Sequence, residues 1–106
     1  MKIIIGCANF GNVYGLKRKK LDSKKIFDII SQAKKLGINR FDTASDYKKS
    51  ENYLGKFSKK IFKKKKFLID TKLPKNLNSK INYANLEKTL LLSLKRLKVK
   101  KINTLY

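Results

Sequence analysis

Three side chains in this sequence could do acid–base chemistry together: the carboxylate of Asp42, the phenol of Tyr47 and the amine of Lys72. A free phenol titrates at about pH 10, so it gives up its proton reluctantly at neutral pH unless something tunes it. An ammonium beside a phenol stabilises the phenolate, and a carboxylate can hold that ammonium in place. Each residue alone has a plainer role: Asp42 as a cap, Tyr47 as a packed aromatic, Lys72 as one more surface lysine. Their order along the chain, and the elements that deliver them, make the set more specific. Other chemistries are poorly supplied. The sequence has no His and a single cysteine, Cys7, so it offers neither a disulfide framework nor a usual zinc site, and no metal is expected.

The elements follow from apolar spacing. Ile3, Ile4 and Ile5 read as a buried strand that ends at Gly6. Cys7 to Lys20, with Gly11 and Gly15, reads as a loop. Asp22 or Ser23 can cap a helix whose apolar face is Ile26, Ile29, Ile30, Ala33 and Leu36, with Gly37 placed to end it. Ile38 to Phe41 reads as a second strand, which delivers Asp42 at its C-terminal end. Ser50 can cap a short helix bearing Tyr53, Leu54 and Phe57, with Glu51 favourably placed in its first turn. Phe67 to Thr71 is a third strand, leading into Lys72. A polar loop with Asn76, Asn78 and Ser79 follows, then a helix with Leu86, Leu90, Leu94 and Leu97 on one face. Ile102 to Tyr106 begins a fourth strand.

Strands alternating with helices predict an α/β fold with a parallel sheet, because each helix carries the chain back for the next strand. The first turn, GCANFG, is neither a G-x-G-x-x-G fingerprint nor a Walker loop. A (β/α)8 barrel fits better, since such barrels place chemistry at the C-terminal ends of their strands. Asp42, Tyr47 and Lys72 all fall there.

The residues themselves carry a family resemblance. FDTASDYKKSENYLGKF resembles the aldo-keto reductase signature, in which Asp-Thr-Ala is followed by a Tyr and then by Ser-Glu and Leu-Gly pairs. IIIGCANFGNVYG resembles that family's first strand and loop, LIDTKLP its third strand with a Thr-Lys pair, and LEKTLLLSLKRLKVKKINTLY its next helix and fourth strand. The resemblance runs from Ile3 to Tyr106. It implies that residues 1–106 form a partial NADP-dependent oxidoreductase domain, the N-terminal half of a TIM barrel. It also implies that the complete enzyme moves hydride from NADPH to an aldehyde or ketone. Tyr47 is then the proton donor, Lys72 its tuner, and Asp42 the partner of Lys72 and a neighbour of the nicotinamide ribose. Gly6, Cys7 and Ala8 would offer backbone contacts to the cofactor. The family's histidine, which orients the carbonyl, would fall just beyond Tyr106. Lys48 departs from the glycine usual after the tyrosine. Barrels of this type need about 250 residues, so the resemblance implies an incomplete ring with open sheet edges, little cofactor binding and little activity for this piece alone.

Charge raises other readings. The net charge is +21, and 25 of the 28 basic residues are lysines. A basic nucleic-acid-binding module is one alternative. The shortage of arginine and the lack of any known motif argue against specific reading of bases, leaving salt-sensitive, sequence-independent binding. Lys63 to Lys66 read as a solvated helix end. A half-barrel that dimerises into a full barrel through its open edges is a second alternative, which lysine repulsion opposes at low salt. The apolar run at residues 3–5 is too short for a signal peptide or a membrane span, so no membrane partner and a cytoplasmic location are expected.

Overall fold

The structure is a computed structural model, and it describes residues 2–10, 21–47, 49–75 and 82–106. Lys48, the loop glycines 11 and 15, and the polar residues 76, 78 and 79 lie outside the described residues. The elements alternate as expected: β1 (Ile5–Gly6), α1 (Ser23–Lys35), β2 (Arg40–Asp42), α2 (Ser50–Phe62), β3 (Leu68–Thr71), α3 (Tyr83–Leu97) and β4 (Thr104–Leu105). The strands form one parallel sheet in the order β1-β2-β3-β4. This is the strand order expected of an arc of a (β/α)8 barrel.

Strand alternation sorts the two faces of the sheet. Phe41 and Ile69 point towards the helices and are buried in a core with Ile26, Ile30, Leu54, Phe62 and Leu97. Full burial of each such side chain stabilises the fold by roughly 1.5–3 kcal/mol. Arg40, Asp42, Asp70 and Lys72 alternate with these and occupy the other, concave face. The register sets Gly6 beside Asp42, Asp42 beside Asp70, and Asp70 beside Thr104, so that four residues form one row across the sheet.

Helix ends follow local chemistry. Asp22 caps α1 by accepting from the Lys25 amide at 2.8 Å, and Asn82 caps α3 through the Asn85 amide in the same way. Leu36 was expected on the buried face of α1 but is 73% exposed, because it is the C-cap residue and the chain leaves the helix there. Gly37 takes the left-handed φ of +76° that this exit requires. The amide of Ile38 donates to Ala33 O at 2.8 Å, so it belongs to the helix stop, and β2 starts at Arg40 rather than at Ile38.

Two further expectations change. Ile3 and Ile4 are 47% and 44% exposed and lie outside the ladder, since β1 starts only at Ile5 and pairs on one side only. Ser50 is the first residue of α2 and not its cap; Lys49 takes the cap position with no side-chain bond. The Ser50 hydroxyl instead donates to Cys7 O at 2.9 Å and lies 2.8 Å from Thr43 Oγ1, tying the end of β1 to β2.

Gly55 marks a close approach. A Cβ there would collide with the carbonyl oxygen of Arg96 and lie 2.8 Å from Leu97 Cα, so the backbones of α2 and α3 touch at this point. Only glycine fits.

Candidate active site

The three chemistry-bearing residues meet at the C-terminal rim of the sheet. Asp42 ends β2, Tyr47 stands in the β2–α2 loop, and Lys72 follows β3 directly. Lys72 Nζ donates to the Tyr47 hydroxyl at 3.4 Å and lies 3.8 Å from Asp42 Oδ2. It also stands 5.7 Å from the centre of the Tyr47 ring. The hydrogen bond to Tyr47 raises the Lys72 pKa most, burial opposes this, and the charge of Asp42 adds to the rise. Lys72 is therefore held as an ammonium. The side chains of Lys72 and Asp42 are 42% and 34% exposed, so solvent screens their attraction and geometry matters more here than raw Coulomb energy.

Backbone contacts position this group. The amide and hydroxyl of Ser45 both donate to Lys72 O, at 3.2 and 2.9 Å. Asp46 Oδ2 accepts from the Lys75 amide at 2.8 Å. The Tyr47 amide donates to Ala44 O, and Tyr47 O in turn accepts from the Ser50 amide, so the tyrosine sits in a tight turn feeding α2. The two loops that carry the phenol and the amine are thus clasped to each other. Ser45 and Asp46 were not singled out from the sequence; loop-to-loop contacts carry no periodic signal.

Two buried carboxylates hold the frame beneath this rim. Asp70 accepts from Arg40 Nε and from Asn103 Nδ2, both at 2.7 Å. Burial pushes its pKa up, but these bonds and one involving Thr104 outweigh burial and hold it below the ordinary carboxylate value. Glu51 is fully buried and accepts from Arg96 Nε at 2.7 Å, Thr71 Oγ1 at 2.8 Å and Ser93 Oγ at 3.2 Å. It sits in the first turn of α2 as expected, yet its main partners are α3 and β3 rather than the helix dipole.

The family model for the aldo/keto reductase family matches residues 2–106. The chain belongs to this family. No curated protein matches it by sequence. Among solved structures, a putative aldo-keto reductase from Pseudomonas aeruginosa superimposes with a TM-score of 0.75 at 28% identity. The match covers 96% of this chain and 40% of that one. The holo form of an aldo-keto reductase from Bacillus halodurans gives 0.74 at 23% identity over 98% of this chain and 34% of its own. A silkworm aldo-keto reductase gives 0.73 at 22% identity, covering 96% and 31%. The chain therefore spans about a third to two-fifths of the length of these barrels.

The residues expected to face an aldo-keto reductase cofactor separate into two groups. Gly6 stands beside Asp42 in the row, and a Cβ there would meet nothing within 4 Å, so both open onto the concavity. Ile4, Asp70, Lys72 and Tyr106 line the same hollow of about 450 Å³. Cys7 does not join them. Its side chain is buried, its amide donates to Asp42 O, and its carbonyl accepts from Phe10 N and the Ser50 hydroxyl, so it has no free backbone group to offer. Burial, and next the charge of Asp42, push its thiol pKa up, which leaves an inert core thiol. Ala8, half-buried in the turn after Cys7, remains accessible. Among the described residues no cluster of His, Cys, Asp and Glu could hold a metal ion, and no helix is long and apolar enough to cross a membrane.

Proposed function

We propose that this chain supplies the proton-donating part of an NADPH-dependent carbonyl reductase site, with Tyr47 as general acid. The observation that carries the reading is the Lys72 ammonium, which reaches both the Tyr47 hydroxyl and Asp42. NADPH, when bound, supplies the hydride that adds to the carbonyl carbon of an aldehyde or ketone. The carbonyl oxygen then takes the Tyr47 proton, giving an alcohol and a phenolate that faces the Lys72 ammonium. Asp42 orients Lys72, and the clasp from Ser45 fixes the distance between the two loops. Gly6, Ala8 and Asp42 would border the cofactor. These are few contacts for a dinucleotide, so the chain alone should bind NADPH weakly and turn over little; the remaining strands of a full ring would supply the rest.

A chimera tests this. The present chain, joined to the later strands of the Pseudomonas aeruginosa relative, should reduce members of an aldehyde panel with NADPH. Tyr47→Phe should lower kcat by about 10²-fold or more with little change in KM for NADPH, as expected for loss of a general acid. Full activity in the Tyr47→Phe chimera would end the assignment. Fluorescence titration of the unfused chain with NADPH should give no saturable micromolar binding.

A further inference from the structure

Acidic residues avoid one pole of the barrel axis. All three helices finish on basic pairs, Lys34 and Lys35, Lys59 and Lys60, and Lys95 and Arg96. These ends, and the loops leading back into the strands, lie at the pole opposite the rim that holds Tyr47. The loops add Lys63 to Lys66, and Lys98, Lys100 and Lys101. None of the seven acidic residues falls in a last helical turn or in these loops. Helix dipoles favour cations at C-termini, which accounts for one pair per helix. They do not account for the loop lysines, which lie beyond the helices and repel the pairs.

Six of the lysines at this pole line one cleft. This cleft, of about 750 Å³, opens between the C-terminal turns of α1 and α2 and the loops entering β2 and β3. Lys34 Nζ spans it and donates to Ile61 O at 2.7 Å. The other lysines on its lining are Lys35, Lys60, Lys63, Lys65 and Lys66. All five are exposed, and no salt bridge among the described residues involves them. Phe27, 37% exposed and held edge-on against Phe57, gives the same cleft an aromatic surface.

We propose that this cleft binds single-stranded nucleic acid without sequence preference. The lysines would take successive phosphates, releasing condensed counterions, and the Phe27 ring would offer a stacking surface to a base. A concave basic cleft with an aromatic wall suits a strand better than a flat bilayer, which a convex basic face with protruding apolar residues would suit. The site lies away from Asp42, Tyr47 and Lys72 and does not depend on the reductase reading.

The test measures anisotropy of a labelled 20-mer of deoxythymidine with the full chain, from low to moderate salt. Lys35, Lys60, Lys63, Lys65 and Lys66 are changed together to Gln. A matched variant changes Lys24, Lys25, Lys56, Lys75 and Lys88 to Gln, removing the same charge elsewhere. The cleft variant should bind at least tenfold more weakly, and its slope of log affinity against log salt should be shallower by about 3.5, near 0.7 per lost contact. The matched variant should lose less than threefold. Equal losses in the two variants would overturn the proposal, as would tighter, cleft-dependent binding to phosphatidylserine vesicles at the same salt. Should the cleft variant fail to fold, lysine acetylation of the native chain with and without the 20-mer decides. Selective protection of the cleft lysines supports the site, and uniform protection refutes it.

Discussion

The rim site and the Glu51 node are both built from a carboxylate and a cation, yet they are held in opposite ways. At the rim, Lys72 reaches its partners at 3.4 and 3.8 Å and remains substantially exposed. At the node, Glu51 is fully buried and takes bonds of 2.7 and 2.8 Å from Arg96 and Thr71. The node joins α2, α3 and β3 and leaves little freedom. The rim leaves its side chains free to meet a reactant while loop backbones set their spacing. The difference teaches that burial goes to the frame, while the rim side chains stay in the open.

Predictions follow from trying to erase that difference. Glu51→Ala should destabilise by about 3–5 kcal/mol, because it strands the partly buried Arg96 cation. A urea midpoint measures this, and a loss under 1 kcal/mol would make the node no firmer than the rim. Gly55→Ala should cost about 1–3 kcal/mol or more by the same measurement, since backbone cannot yield as a side chain can. Asp70→Asn should cost about 1–3 kcal/mol by weakening the hold on Arg40.

Its pH dependence has a definite sign. The folded pKa of Asp70 is depressed, so its contribution is present above the ordinary carboxylate value of 3.8 and fades as pH falls through the lower folded value. The acid limb of a stability–pH curve should therefore flatten in Asp70→Asn. At the rim, Tyr47→Phe and Lys72→Met should move stability by no more than about 0.5 kcal/mol. The smallest effect is a titration. Tyr47→Phe removes the leading cause of the raised Lys72 pKa, so the Lys72 ammonium should titrate closer to 10.5, followed by carbon NMR of the lysine side chain. Any stability that Lys72 contributes is present below 10.5 and is lost as pH rises through its folded value.

Periodicity made the frame legible. The apolar faces of α1 and α3, and the strands ending at Gly6, Asp42 and Thr71, followed from spacing alone, and the order of Asp42, Tyr47 and Lys72 pointed to one rim. What stayed hidden depends on contacts between distant segments. Glu51 reads as a helix-start acid until Arg96, forty-five residues on, is seen beside it. Asp70 looks unusual in a strand, but its partner Arg40 lies thirty residues upstream. Ile3 and Ile4 misled because a hydrophobic run encodes burial without saying what does the burying. Cys7 depends on distant contacts too: a loop residue near a glycine suggests free backbone, and its amide and carbonyl have partners in β2, the following turn and α2.

The grip of Ser45 on the carbonyl of Lys72 has a mechanical meaning. The peptide unit that anchors one loop belongs to the same residue whose amine reaches for the phenol. If β3 slides against β2, the anchored loop is dragged along with it, and the gap between nitrogen and hydroxyl changes less than the strands do. The arrangement behaves like a carpenter's jig, referencing one part from the other, so small errors in the surrounding framework need not become errors in the spacing of amine and phenol.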